Sequence, residues 1–95
     1  MPERFVRNAT VEMAPMKEET VLFNPGNNKF CVLNATAAFI WGALEQPRSC
    51  DEIVAELVKR FANVSAQRAE QDVQRVLREL NGVECVVPAT AKDGA

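Results

Sequence analysis

The chain has 95 residues, 47% of them apolar and 25% charged, enough for one globular domain with a modest core. Eleven basic against thirteen acidic side chains leave a net charge of −2, so there is no electrostatic case for nucleic acid. No apolar run approaches the roughly 18 residues of a membrane span and no apolar segment opens the chain; neither a membrane helix nor a signal peptide is expected, and the cytoplasm is the expected location.

Residues 1–8 carry Arg4, Phe5, Val6 and Arg7 without a clear period and read as a flexible arm. Val11–Met13 alternates and reads as a short strand. Thr20–Phe23 is β-branched and aromatic, and Asn24-Pro-Gly-Asn-Asn28 ends it. Pro25 and Gly26 suit the central positions of a type II turn, Pro presetting φ and Gly accepting a positive one. Phe30–Leu33 is then the return strand, and the three strands form an antiparallel meander.

Asn34 is a good N-cap for the first helix, in which Ala37, Ile40, Trp41 and Leu44 recur at helical spacing, with Phe39 and Ala43 on a second apolar flank. Pro47 stops it. Ser49-Cys-Asp-Glu52 is a capping box opening the second helix, whose stripe is Ile53, Val54, Leu57, Val58 and Phe61. Ser65 caps a third helix with apolar Ala69, Val73, Val76, Leu77 and Leu80. At about 100° per residue, Val73, Val76 and Leu80 lie near the stripe centre and Leu77 toward one edge. Asn81-Gly82 supplies its stop. Pro88–Ala95 reads as a disordered tail, which leaves a domain at 9–87. The order of elements predicts an α+β, winged-helix-like domain, a three-stranded antiparallel sheet followed by three helices.

Little in this sequence supports catalysis. There is no His and no Tyr, so no ordinary nucleophile pair, and the four glycines are dispersed, forming no phosphate loop. The three cysteines, Cys31, Cys50 and Cys85, lack metal or redox spacing. The N-x-S/T triplets at Asn8, Asn34 and Asn63 have no meaning without secretion. No cofactor and no metal are expected.

Two binding readings remain. A winged-helix DNA-binding regulator would use Arg68, Arg75 and Arg78 of the third helix with Arg4 and Arg7 of the arm, although Glu70, Asp72 and Glu79 share that helix. Alternatively, the third strand is a sheet edge: Phe30-Cys-Val-Leu33 carries neither the charge nor the Pro that usually blunts an edge, and only Lys29 guards its start. Such an edge accepts a foreign peptide or a second copy in a strand-mediated homodimer. The same residues would suit an interior strand, and the pattern alone leaves both open. Cys31 and Leu33 share one strand face, Phe30 and Val32 the other, and one pair must face the helices.

The ordered blocks VLNATAAFIW, SCDEIVAELVKRF and QDVQRVLREL resemble the PqqD-like family, named for pyrroloquinoline quinone biosynthesis protein D. The resemblance spans about Val21–Val87. It departs at Glu45-Gln-Pro-Arg48, where the family often has an Asp-Gly turn. It implies a winged-helix-like peptide-recognition domain of ribosomal peptide natural product pathways. Such a domain binds the leader segment of a precursor peptide as an added strand and presents it to a modifying enzyme, often a radical S-adenosylmethionine enzyme, without doing chemistry itself. Carried onto this sequence, the peptide-binding residues are Lys29, Phe30, Cys31, Val32 and Leu33 of the third strand, with Asp72, Val73, Val76, Leu77 and Leu80 of the third helix.

Overall fold

Period-two patterning and two turns generate the first sheet. The computed structural model describes residues 4–89. In chain order it has β1 (Arg4–Arg7), β2 (Glu12–Pro15), β3 (Thr20–Asn24), β4 (Lys29–Leu33), α1 (Ala35–Ala43), β5 (Arg48–Ser49), α2 (Cys50–Arg60), α3 (Ala66–Gly82) and β6 (Val86–Pro88). β2, β3 and β4 are the expected antiparallel meander, in that order. Leu22 stands opposite Met13 and Cys31, and Phe23 opposite Glu12 and Phe30. Opposed residues share a face, so Leu22, Cys31 and Leu33 turn toward the helices. Val21, Phe23, Phe30 and Val32 turn away from them.

The loop between β3 and β4 is not the type II turn the sequence suggests. Gly26 has no positive φ; Asn28 takes the left-handed conformation instead, at φ 60°. The Asn24 side-chain oxygen accepts the Gly26 N–H at 2.9 Å, and the Asn24 carbonyl accepts the Asn28 N–H at 2.8 Å. An Asx turn thus starts the loop and an i→i+4 bond closes it, chemistry that Asn supports as Gly does.

All three helix starts agree with the sequence. Ala37 N–H donates to Asn34 Oδ1 at 2.8 Å, and Arg68 N–H to Ser65 Oγ at 3.1 Å. At α2 both arms of the capping box form, Glu52 N–H to Ser49 Oγ and Ser49 N–H to Glu52 Oε1. The end of α3 differs from expectation. Gly82 lies inside the helix, and Glu84 is the left-handed residue, at φ 59°. Cys85 N–H returns to the Leu80 carbonyl at 2.8 Å and Glu84 N–H to that of Asn81 at 3.1 Å. This is a Schellman ending with Glu where Gly is usual, and buried Leu80 and Cys85 supply its hydrophobic contact.

The core lies between the inner face of β3 and β4 and the three helices. It contains Leu22 and Leu33, then Ile40, Trp41 and Leu44, Ile53 and Leu57, and Ala69, Val73, Val76, Leu77 and Leu80. Each fully buried aliphatic side chain contributes about 1.5–3 kcal/mol. Phe39 meets Phe61 edge-on, with centroids 5.7 Å apart, and so ties the second flank of α1 to the end of α2.

A second sheet corrects the reading of both ends. Arg4–Arg7 is not an arm but the central strand of the order β5-β1-β6, pairing Phe5 with Arg48 and Pro88, and Arg7 with Val86. Arg7 also lies over the Trp41 ring, 4.7 Å from its centroid, and its Nε donates to the Trp41 carbonyl at 3.0 Å. Pro88 belongs to β6 rather than to a tail, and Ala89 is buried and bonds to the Arg4 carbonyl. The rest of the expected tail, 90–95, lies outside the described residues, as do 1–3 of the arm. Four residues with no period become a strand because partners distant in sequence supply the ladder.

Candidate functional site: the free edge of β4

Side-chain alternation sets what β4 exposes. Its inner positions anchor it: Leu33 is buried and Cys31 half-buried. Its outer positions stay wet, Phe30 at 64% exposed and Val32 at 58%. Phe30 stacks obliquely on Phe23, its neighbour across the ladder, at 4.8 Å. Directly after Leu33, Asn34 caps α1, and Ile40 and Trp41 of that helix sink into the core. The strand is therefore held firmly from its C-terminal end.

Asparagine side chains hold its other end. Asn24, itself buried, donates from Nδ2 to the carbonyls of Val83 (3.0 Å) and Glu84 (3.1 Å), just beyond α3. Asn27 Nδ2 donates to Val83 O at 3.1 Å, and Asn8 Nδ2 to Glu84 O at 2.9 Å. The β3–β4 loop is thereby fastened to the C-terminal end of α3, which sets the spacing between β4 and that helix. The sequence reading makes Asn24 and Asn27 turn residues and leaves Asn8 in the arm. Their second role depends on carbonyls at 83 and 84, which no local pattern announces.

β4 pairs with β3 on one side and ends its sheet on the other. Among the described residues no strand covers that side, so its outward N–H and C=O groups are free. This decides the question that the pattern left open: the third strand of the meander is an edge.

The flank of α3 that leads to Val83, where the β3–β4 loop is fastened, is polar. The Glu79 carboxylate is close enough that its charge, after burial as the larger cause, pushes the Cys31 thiol pKa up. At about 100° per residue, Asp72 lies about 20° from Glu79 around the helix, with Arg75 between the two turns on the same flank. Asp72 is half-buried and sits 3.7 Å from both Arg68 and Arg75, as helix neighbours would. Glu79 is exposed and is not among the residues nominated from the sequence. Its angular coincidence with Asp72 is the signal that marks it.

The sequence-nominated residues therefore separate. Lys29, Phe30 and Val32 are exposed on β4, and Cys31 turns inward beside Glu79. Leu33, Val73, Val76 and Leu80 are core. Leu77 is only 7% exposed and lies elsewhere. It borders a cavity of about 310 Å³ with Phe5, Cys50, Gln74, Arg78 and Asn81, about 200° around α3 from Glu79. A second, open hollow of about 590 Å³ is bordered by Met16–Glu19 and Asn34.

Of the five arginines in the DNA reading, only Arg78 has no partner among the described residues. Arg68 and Arg75 lie against Asp72, Arg4 pairs with Glu52 at 3.0 Å, and Arg7 is committed to Trp41. Among the described residues no cluster of His, Cys, Asp or Glu could hold a metal, and no helix is long and apolar enough to cross a membrane.

Fold and edge together define the class: a small winged-helix-like α+β domain whose meander ends at β4, with the β3–β4 loop fastened just beyond the last helix. The profile of the family described as Coenzyme PQQ synthesis protein D (PqqD) matches residues 19–86, and the chain belongs to that family. Two solved structures share the fold. One is TbiB1 in complex with the TbiA(beta) leader peptide, at 26% identity and TM-score 0.73, over 85% of this chain and 93% of that one. The other is a lasso peptide synthetase B1 complexed with the leader peptide, at 23% identity and TM-score 0.74, over 88% and 98%. None of the curated proteins compared matches the chain significantly.

Proposed function

We propose that this chain binds the leader segment of a ribosomally made precursor peptide. The peptide adds as a strand to the free edge of β4, on the side of α3, and is presented to a modifying enzyme. The observation that carries this reading is the edge of β4, held at both ends and, from Phe30 to Leu33, lacking the Pro or charge that normally prevents pairing. Main-chain bonds to that edge supply affinity and side-chain contacts supply selectivity. The leader complexes of the two structural relatives support it. The chain does no chemistry in this scheme; a radical S-adenosylmethionine or other modifying enzyme does, in the cytoplasm. Synthesis of coenzyme PQQ, which the family description names, is one such pathway. Contacts come from Lys29–Leu33 and from the Asp72, Arg75 and Glu79 flank. Leu77 has no part in it.

The test is an NMR titration of the labelled chain with a synthetic leader from a precursor peptide encoded beside it. Backbone amides of Lys29–Leu33 and of the Asp72–Glu79 flank should shift, and Leu77→Ala should leave the affinity of folded protein unchanged. Shifts confined to α3 and β1, produced by duplex DNA and abolished by salt, would sink the proposal.

A further inference from the structure

The outer face of the first sheet is built in rows. Phe23 and Phe30 form an aromatic row that begins at Glu12; Val21 and Val32 form a β-branched row that begins at Ala14. Both rows stop at β4, where Phe30 and Val32 are more than half exposed. A strand laid against β4 continues each row by one residue, because directly opposed side chains share a face and touch. Its intervening residue points the other way, past Cys31 toward α3. On that flank Asp72 already faces two arginines, whereas Glu79 has no ion pair among the described residues.

We propose that the bound strand is read by a three-residue pattern: an aromatic residue opposite Phe30, a basic residue turned inward to Glu79, and an aliphatic, preferably β-branched, residue opposite Val32. This rests on the strand-addition reading above and specifies its substrate. The aromatic residue gains a tilted stack and covers Phe30, whose exposed ring otherwise faces water. The aliphatic residue packs on Val32 as β-branched pairs do across a ladder. The central cation meets a carboxylate that lacks a partner, so a wrong-sign residue there is repelled as well as unrewarded.

The inference is tested by panning a displayed library of random 12-residue peptides on the intact chain, then titrating synthesised binders into labelled protein. Binders that shift the amides of Lys29–Leu33 should share a basic residue flanked by an aromatic residue on one side and an aliphatic one on the other, in an order set by the strand direction. Phe30→Ser should weaken them about fivefold or more, the scale of one aromatic cross-strand pair with its covered area. Glu79→Gln should relax the central preference without changing the flanking ones. Both positions are exposed, and circular dichroism checks that each variant folds; Val32→Thr provides a third. Binders that shift β4 but show no pattern and tolerate Phe30→Ser overturn the inference and leave strand addition standing. Binders that leave β4 unshifted, or a library without binders, overturn both. A concentration-dependent dimer lost in Phe30→Ser, with no peptide preference, assigns this face to a second copy and overturns the inference.

Discussion

Replacing Asn24 by Ala should both destabilise the domain and loosen the candidate site. Its amide makes three hydrogen bonds: Nδ2 to the carbonyls of Val83 (3.0 Å) and Glu84 (3.1 Å), and Oδ1 from the Gly26 N–H (2.9 Å). Each is worth about 1 kcal/mol net, more where a buried group loses its only partner. Here both carbonyls keep another donor, Asn27 for Val83 and Asn8 for Glu84, and exposed Gly26 can turn to water. The loss is therefore about 2–3 kcal/mol rather than more, or roughly 10–20 °C in Tm for a domain of this length. Urea unfolding followed by circular dichroism measures it. Amide exchange in β4 should quicken beyond the global change, because the loop is no longer fastened to α3. Asn24→Asp keeps the turn acceptor but sets a carboxylate against two carbonyls, and at neutral pH it should be no more stable than the Ala variant. A loss below about 0.5 kcal/mol in Asn24→Ala would refute the argument that these bonds hold the hairpin to the helix.

Two further outcomes can be checked on the same instrument. Glu84→Gly should stabilise the domain by about 0.5–1 kcal/mol, since Gly takes the left-handed position without a Cβ clash while the Glu84 carbonyl keeps its acceptor role; any loss of stability contradicts the Schellman assignment. The Glu52 carboxyl is held below its ordinary 4.5, first by the Ser49 N–H and then by the charges of Arg4 and Arg48. The unfolded chain therefore takes up this proton first as the solution is acidified. The contribution of Glu52 is present above pH 4.5 and lost as pH falls through its lower folded value. Glu52→Gln should flatten the stability profile below that point, and parallel profiles for the two proteins would contradict this.

Much of the fold is legible where neighbours along the chain set the conformation. The caps at Asn34, Ser49 and Ser65 each need a side chain only three residues from the N–H it accepts, so their spacing is visible in the sequence. The stripe of α3 likewise predicts that Val73, Val76 and Leu80 face the core. Leu77 shows the limit of the same geometry. Helical angle puts it at an edge of the stripe, but which neighbour meets that edge depends on where β1 and α2 lie. Phe5 and Cys50 share a cavity with it, while Glu79 lies on the opposite flank.

The chain by itself determined the meander, the three helices with their starts, and the alternation that divides Phe30 and Val32 from Cys31 and Leu33. These follow from local propensity and period, which act within a few residues. Tertiary structure alone decided that Arg4–Arg7 is a strand, that Asn24 and Asn27 bind the end of α3, and that β4 stands at the border of its sheet. Each depends on a backbone group that distant residues supply or fail to supply. An edge is defined by the neighbour that is missing, and no stretch of β4 encodes that.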